Sequence, residues 1–438
     1  MKLDFEKLEN KILNTNIKRS LGKVTKVVGL TIEAQGLTVE LGELCIIRSG
    51  EDKIKEIKAE VVGFNEGSTL LMPLGEMQEI KMGAEVIPSK KQVPIKVGPD
   101  LIGRVINGLG EPIDNDLELR AKTEVPQWKE APSPLKRKRI NEKLHFGVKA
   151  LDGMLSCGKG QRMGIFSGSG VGKSTLMGMI AKNSDADINV IALIGERGRE
   201  VREFVEESLG PEGLKKSIVV VATGNESSLI RIKAALFAHS IAEYFRDVQG
   251  KNVLLMLDSV TRIALAQREI GLATGEPPAT RGYTPSVFAL LPKLLERSGT
   301  SENGTITALY TVLVEGDDMN EPIADLARGV LDGHIVLSRE LAHKNHFPAI
   351  DILQSVSRVM PSIADPKHLE TAAKIRNLMA VYKEAQDLIN IGAYQRGSNP
   401  EIDEAIKAYP KINAFLQQSM DAPLSEEETY QMMGEILK

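Results

Sequence analysis

The sequence predicts an α/β protein with a parallel-sheet core, a small β-barrel domain before it and a helical domain after it. Between Leu151 and Arg358, apolar strand-like runs alternate with helical stretches, the order of a parallel sheet covered by helices. From Gly22 to Pro88 the runs are short, β-rich and punctuated by Gly, Asn and Ser, the spacing of a small barrel. Beyond Asp365 the pattern is helical almost throughout, broken by a turn at Arg396 to Pro400.

Taken in order, the first element is a short amphipathic helix. Leu3, Phe5, Leu8, Ile12 and Leu13 recur at mostly helical spacing among Lys, Glu and Asn, which predicts either a docking segment over 1–18 or a helix folded back on its own domain. The barrel domain is expected over 19–90, with strands at Val24–Val28, Leu37–Leu41, Leu44–Ile47 and Ile57–Val62. Pro94, Pro99, Pro112, Pro126, Pro132 and Pro134 mark an irregular, proline-stiffened connection. The basic run Lys136–Arg139 ends it and reads as a solvated face, with an anion contact as the alternative. The core, taken as 91–364 with that connection, has apolar runs at Val190–Ile194, Ile218–Ala222, Val253–Leu257, Thr305–Val312 and Ile335–Leu337. The helical domain is expected over 365–438.

Composition narrows the class. A chain of 438 residues is too long for one core. A net charge of −4 and a pI near 6.0 exclude a global basic footprint for nucleic acid or an anionic membrane. Cys45 and Cys157 are the only cysteines and lie far apart, which argues against a disulfide scaffold and fits a reducing cytosol. The N-terminus is charged where a signal peptide turns apolar, and no run of about 18 apolar residues occurs. The expected location is therefore cytoplasmic, with any membrane role exercised through partners.

The chemistry concentrates in Ser167-Gly-Ser-Gly-Val-Gly-Lys-Ser-Thr175, between the apolar run Met163–Phe166 and the helical stretch Leu176–Ile180. This is a P-loop. Its glycines let the backbone N–H groups of Ser169, Gly170, Val171, Gly172 and the residues to Thr175 face one concavity, Lys173 reaches the β- and γ-phosphates, and Ser174 offers a hydroxyl to Mg²⁺. The following helix adds its positive dipole end. Ser167 replaces the usual first glycine. The strand Val253–Leu257 ends in Asp258, a carboxylate placed to hold the water shell of that Mg²⁺. Val190–Ile194 runs into Gly195-Glu-Arg-Gly-Arg-Glu200, where Glu196 is placed to polarise an attacking water. Arg358 is the candidate for positive charge supplied in trans, with a structural ion pair as the alternative. The six histidines and two cysteines show no ligand spacing, so ATP with Mg²⁺ is the cofactor set inferred.

With these residues in view, the chain resembles the hexameric ATPases related to the catalytic subunits of rotary ATP synthases, and within them the flagellar type III export ATPases. The likeness runs from the barrel through Gly160–Ser174 to the C-terminal helices, and Glu276–Phe288, Glu315–Asp325 and Leu331–Arg339 separate it from a generic P-loop protein. The resemblance implies a RecA-like core and a homo-oligomeric ring, a hexamer. It also implies Glu196 as the catalytic carboxylate with Arg197 and Glu200 in the same turn, Arg262 near the γ-phosphate, and Arg358 as a finger on the neighbour's ATP. Phe347 would face adenine and Met420 would form the opposite wall, where a thioether packs on a purine.

Partners come from the resemblance as well: a stator-like regulatory dimer on residues 1–18, a coiled-coil stalk in the central pore, an export gate, chaperones and secreted substrates. The loop Gly271–Thr284, with Arg281 and Tyr283, and the turn Arg396–Pro400 would face that pore. Location follows as peripheral, at the inner face of the cytoplasmic membrane. The virulence-type (injectisome) secretion ATPase shares every catalytic element, and Gly392–Ala405 favours the flagellar branch. A rotary synthase subunit fits Gly195–Phe204 and Glu315–Asp325 less well. An RNA translocase needs an aromatic oligonucleotide site, and with 4% aromatics the barrel lacks a stacking cluster, so no nucleic acid is expected. A subunit that binds nucleotide without turnover is disfavoured by Glu196.

Overall fold

The computed structural model describes residues 21–49, 55–75, 80–115, 117–314, 316 and 318–438. The helix expected over 1–18 lies outside the described residues, as do Glu315 and Asp317. The chain divides into two compact units, one of 1–94 with 269–277 and one of the remainder.

In the first unit six strands close a barrel: β1 (Gly22–Val28), β2 (Thr31–Gln35), β3 (Leu44–Ser49), β4 (Lys55–Asn65), β5 (Ser68–Pro73) and β6 (Glu85–Pro88), in the order β1-β2-β5-β4-β3-β6. Alternate residues point inward, so Val24, Ile32, Ala34, Cys45, Ile47, Ala59, Val61, Leu71 and Val86 fill the interior. Closure leaves no open sheet edge. Leu37–Leu41, expected as a strand, is not one. Gly36 takes φ +81 and ends β2, and Leu37 and Val39 then pack from a loop against the barrel core. The strand that replaces it, β2, is hard to read because Glu33 and Gln35 interrupt its two inward residues.

The second unit is built on one mixed sheet. Its strands are β7 (Val105–Asn107), β8 (Arg162–Ser167), β9 (Ile188–Ile194), β10 (Ser217–Ala222), β11 (Asn252–Asp258), β12 (Thr305–Leu313), β13 (Gly333–Leu337) and β14 (Ile350–Ser357). Across the sheet they lie β14-β13-β8-β12-β11-β9-β10-β7, with Gly299–Thr300 pairing beside β12. From β7 to β13 neighbours run parallel, while β14 is antiparallel to β13. Strands buried on both faces read as unbroken apolar runs, and β9 and β10 are buried at every position. Because β8, β9 and β11 are parallel, Ser167, Glu196 and Asp258 emerge at the same end of the sheet. That end is where ligands of open α/β sheets sit.

Helices cover both faces, among them α1 (Lys173–Asn183), α2 (Ser228–Asp247), α3 (Val260–Ala273) and α4 (Pro322–Val330). The C-terminal helices α5 (Pro366–Asn390), α6 (Pro400–Leu416) and α7 (Glu426–Ile436) share the core of this unit. Leu378, Ile412, Phe415 and Met433 pack in one cluster with Leu151, Met154, Leu176 and Ile180. Side chains cap their first turns: Asp365 accepts from His368 N, Asn399 from Glu401 N, and Ser425 forms a capping box with Glu428.

The proline-rich connection is less irregular than its composition suggests, since it supplies the edge strand β7 and a second short pair, Ile95–Val97 with Thr123–Val125. Nor is Lys136–Arg139 a uniform solvated face. Arg137 turns inward and donates to the carbonyls of Glu296 at 2.6 Å and Ser298 at 2.7 Å. Beneath it lies a fully buried pair in which Arg297 donates twice to Glu243, each bond 2.8 Å, while the equally buried Arg246 donates to the Arg297 carbonyl at 2.8 Å. A buried pair stabilises little against an apolar replacement, but removing one partner strands the other charge. Glu243→Ala should therefore cost about 3–5 kcal/mol, seen as an earlier thermal transition; an unshifted transition would show that Arg297 is satisfied without its carboxylate.

Candidate active site

The P-loop connects β8 to α1. Gly170 and Gly172 stand at φ +77 and +83, a conformation that side-chain-bearing residues rarely adopt, and Gly172 is the residue before the first turn of α1. Ser169, Gly170 and Ser174 are exposed and Val171 is buried. No side chain caps this helix, so its first N–H groups are left for an anion.

Lys173 does not point into solvent. Its Nζ lies 2.5 Å from Asp258 Oδ1 and 3.5 Å from Glu196 Oε1, and all three side chains are at most 15% exposed. One ammonium thus serves two buried carboxylates. Burial alone would lower the Lys173 pKa, but Asp258 and Glu196 outweigh it and hold it above the ordinary lysine value. Glu196 moves the other way, pushed up to about 7 first by burial and then by the Asp258 charge, against the pull of Lys173. A hydrogen bond to Glu200 raises Glu196 further, and the same bond holds Glu200 below the usual carboxylate range.

Arg262, on the first turn of α3, packs flat on Gly195, where a β-carbon would meet its Cβ at 2.9 Å. Its Nε is buried and has no hydrogen-bond partner among the described residues. A buried guanidinium edge without an acceptor, packed on the residue before Glu196, suits a phosphate oxygen. Phe347 is also placed beside the loop: a β-carbon on Gly172 would lie 3.4 Å from its ring. The Phe347 carbonyl accepts from Gln418 N at 3.0 Å, which ties the Phe347 backbone to the segment leading to Met420, and Phe347 and Met420 are each 39% exposed.

A divalent cation finds donors of the right chemistry here. Asp258 Oδ1 takes its bonds from Lys173 and from Thr311 Oγ1 at 2.6 Å, and Oδ2 has no protein donor among the described residues. Ser174 is exposed, and its hydroxyl makes no hydrogen bond among them. An unengaged carboxylate oxygen and a free hydroxyl are the hard oxygen donors that Mg²⁺ prefers.

Arg197 and Arg358 do not join the Lys173 cluster. The Arg197 side chain is 82% exposed and pairs loosely with Glu200 at 3.5 Å. Arg358 lies at the other end of the sheet. Since β14 is antiparallel, Ser357 pairs with Gly333, the first residue of β13, whereas Ile350 pairs with Leu337, the last. The Arg358 guanidinium donates to the carbonyls of Arg328 at 3.2 Å and Leu331 at 3.4 Å, at the C-terminal end of α4, a place that favours a cation. With about 3.3 Å per residue along the strands, it cannot reach its own P-loop. Tyr283, expected on a pore-facing loop, is buried at 6% exposure against Phe288, while Arg281 is half exposed and pairs with Asp318 at 3.0 Å. Sequence reading missed Thr311, one of four hydroxyl-bearing residues in β12 and marked by no spacing of its own.

Comparison with known proteins gives the family and the fold. Residues 147–357 match the nucleotide-binding domain of the ATP synthase alpha/beta family, 24–90 match the beta-barrel domain of that family, and 364–435 match the T3SS EscN ATPase C-terminal domain. The chain is 58% identical over 415 residues to a flagellum-specific ATP synthase of Bacillus subtilis (strain 168), covering 95% of this chain and 94% of that protein. It is 49% identical over 429 residues to a type 3 secretion system ATPase of Xanthomonas euvesicatoria, covering 98% and 97%. Among solved structures it is similar to the assembled ATPase EscN from the enteropathogenic E. coli type III secretion system, with a TM-score of 0.89 and 46% identity over 95% of this chain and 100% of that one. EscN in complex with its central stalk EscO gives a TM-score of 0.87 at the same identity and coverage.

Removing Lys173 should expose what it balances. In Lys173→Met, Glu196 loses the cation that opposes its burial, so its folded-state pKa rises above about 7 and further above the unfolded value. A carboxyl raised in the folded state lowers stability as pH climbs towards that pKa. The variant's thermal deficit against the parent should be small at pH 5 and larger at pH 8; equal deficits would mean that Lys173 does not offset the charge on Glu196.

Proposed function

The chain belongs to the ATP synthase alpha/beta family, on the branch of the type III secretion and flagellum-specific ATPases, and we propose that it hydrolyses Mg²⁺-ATP to drive or gate export of flagellar proteins. The observation that carries this reading is the Lys173, Glu196 and Asp258 cluster at one end of the sheet, with Arg358 at the other. The first group is a phosphate and water site. The second is a cation presented to a different molecule.

In this reading the Lys173 ammonium passes from the two carboxylates to the β- and γ-phosphates when ATP binds. Glu196, released from it, accepts a proton from the attacking water as the new P–O bond forms and the bond to ADP breaks. Arg262 meets the γ-phosphate on the same side, and Phe347 and Met420 hold the base between ring and thioether. Ser174 and Asp258 would hold Mg²⁺, which would supply neutralisation of the phosphate charge. Arg358 completes the neighbouring site, so the working form is a homo-oligomeric ring, a hexamer, with heterologous interfaces.

Relatives of both names match at 47–58% identity, and the likeness of Gly392–Ala405 to the flagellar branch supports the flagellar role. The second reading, export through an injectisome, would appear as intact motility and lost effector secretion when the gene is deleted. That EscN has been solved with a central stalk, EscO, supports a coiled-coil stalk as partner in the pore. Of Arg281 and Tyr283, Arg281 is the one exposed enough to meet it. A regulatory dimer on residues 1–18, chaperones, secreted substrates and an export gate at the membrane complete the proposed setting. Among the described residues no helix is long and apolar enough to cross a membrane, so attachment would be peripheral.

Turnover against protein concentration tests the ring. Specific activity should rise steeply with concentration, and Arg358→Ala should lose on the order of 10³ in turnover while still binding ATP. Doped into the parent, Arg358→Ala should lower activity by more than its share of the mixture. Full activity in a dilute monomer would exclude a finger in trans. Glu196→Gln should likewise bind ATP without turning it over; retained turnover would show that another group activates the water.

A further inference from the structure

β12 lies between the P-loop strand β8 and the Asp258 strand β11. Its register sets Thr311 beside Ile165 and sets the preceding Tyr310 beside Leu257. Thr311 therefore stands at the end of the sheet where the P-loop and Asp258 emerge, fully buried in a strand that also carries Thr305, Thr307 and Tyr310. Its hydroxyl donates to Asp258 Oδ1 at 2.6 Å and lies 3.3 Å from the Leu257 carbonyl. A threonine hydroxyl has one proton, and the shorter contact to a charged acceptor is the stronger bond. Lys173 reaches the same Oδ1 at 2.5 Å.

Both donors act on one oxygen and leave Oδ2 without a protein donor among the described residues. Only one of them is permanent. Lys173 has phosphates to serve once nucleotide arrives, whereas Thr311 has no other charged acceptor among the described residues. We propose that Thr311 is a positioning residue for the metal site, holding Asp258 by Oδ1 so that Oδ2 meets a Mg²⁺-bound water after Lys173 has turned to the nucleotide. This rests on the reading that Asp258 serves Mg²⁺. Partners of a metal's ligands orient them and tune affinity even though they never touch the ion.

The test uses the full chain and a fluorescent ADP analogue, titrated in EDTA and then at increasing Mg²⁺, alongside the Mg²⁺ concentration for half-maximal ATP turnover. Thr311→Val keeps the shape and removes the hydroxyl. It should bind ADP in EDTA as the parent does, need on the order of ten-fold more Mg²⁺ for tight binding and for turnover, and be rescued by Thr311→Ser. If Val at this position melts early, Thr311→Ala and Thr311→Ser are compared at a temperature where both are folded, with the same expectation. A parental Mg²⁺ requirement in the variants lacking the hydroxyl overturns the proposal, as does an equal loss of ADP affinity with and without Mg²⁺. Asp258→Asn separates the two readings. If Asp258→Asn shifts the Mg²⁺ requirement and Thr311→Val does not, Thr311 alone is misassigned; if neither shifts it, Asp258 does not serve the metal.

Discussion

One buried ammonium between two buried carboxylates organises this site. Lys173 offsets Asp258 and Glu196 where water cannot, and in such surroundings an uncompensated charge is costly. Everything that brings the three together is a property of the sheet. β8, β9 and β11 must be parallel for their C-terminal ends to coincide, and parallel strands must be covered on both faces. The glycines at positive φ let the loop turn back so that the first residue of α1 can reach the carboxylates. Under the proposed reading, phosphates would enter a place where a cation is already held, and binding them would exchange partners instead of creating a new charge.

The last strand breaks the pattern, and under the proposed reading the break has a functional use. Had β14 run parallel to β13, the residue after it would have joined the P-loop end. Running antiparallel, it delivers Arg358 to the opposite edge, braced on the terminal carbonyls of α4. Each chain therefore holds most of one site and, under the proposed reading, the missing cation of another. Such a division makes turnover a property of the assembly and gives neighbouring sites a route to influence each other through α4 and the residues leading into it.

Much of this was legible in the sequence because it depends on local pattern. A glycine-rich run between strand and helix, and a strand ending in Asp258, announce themselves by spacing alone. Glu196 followed from a strand end and from family likeness. What stayed hidden depends on contacts between distant residues. No local signal places β12 between β8 and β11, so Thr311 could not be seen beside Asp258. The direction of β14 was equally silent. Leu37–Leu41 has strand composition, yet Gly36 ends the strand before it and its apolar residues pack from a loop. Tyr283 sits in a Gly- and Pro-rich stretch that reads as exposed, but its ring is buried against Phe288. Arg137 looked like one of four solvated charges until the Glu296 and Ser298 carbonyls came within reach.

The balance among Lys173, Glu196 and Asp258 is the central claim, and the pH dependence of kcat/KM for ATP measures it most directly, since that quantity follows the free enzyme's ionisations. A base pushed up to about 7 by burial should give an acidic limb with its midpoint near that value. Glu200→Gln removes the neighbouring charge that raises Glu196 and should move the limb to lower pH. A profile flat from pH 5 to 8, or a limb that Glu200→Gln leaves in place, would contradict the account.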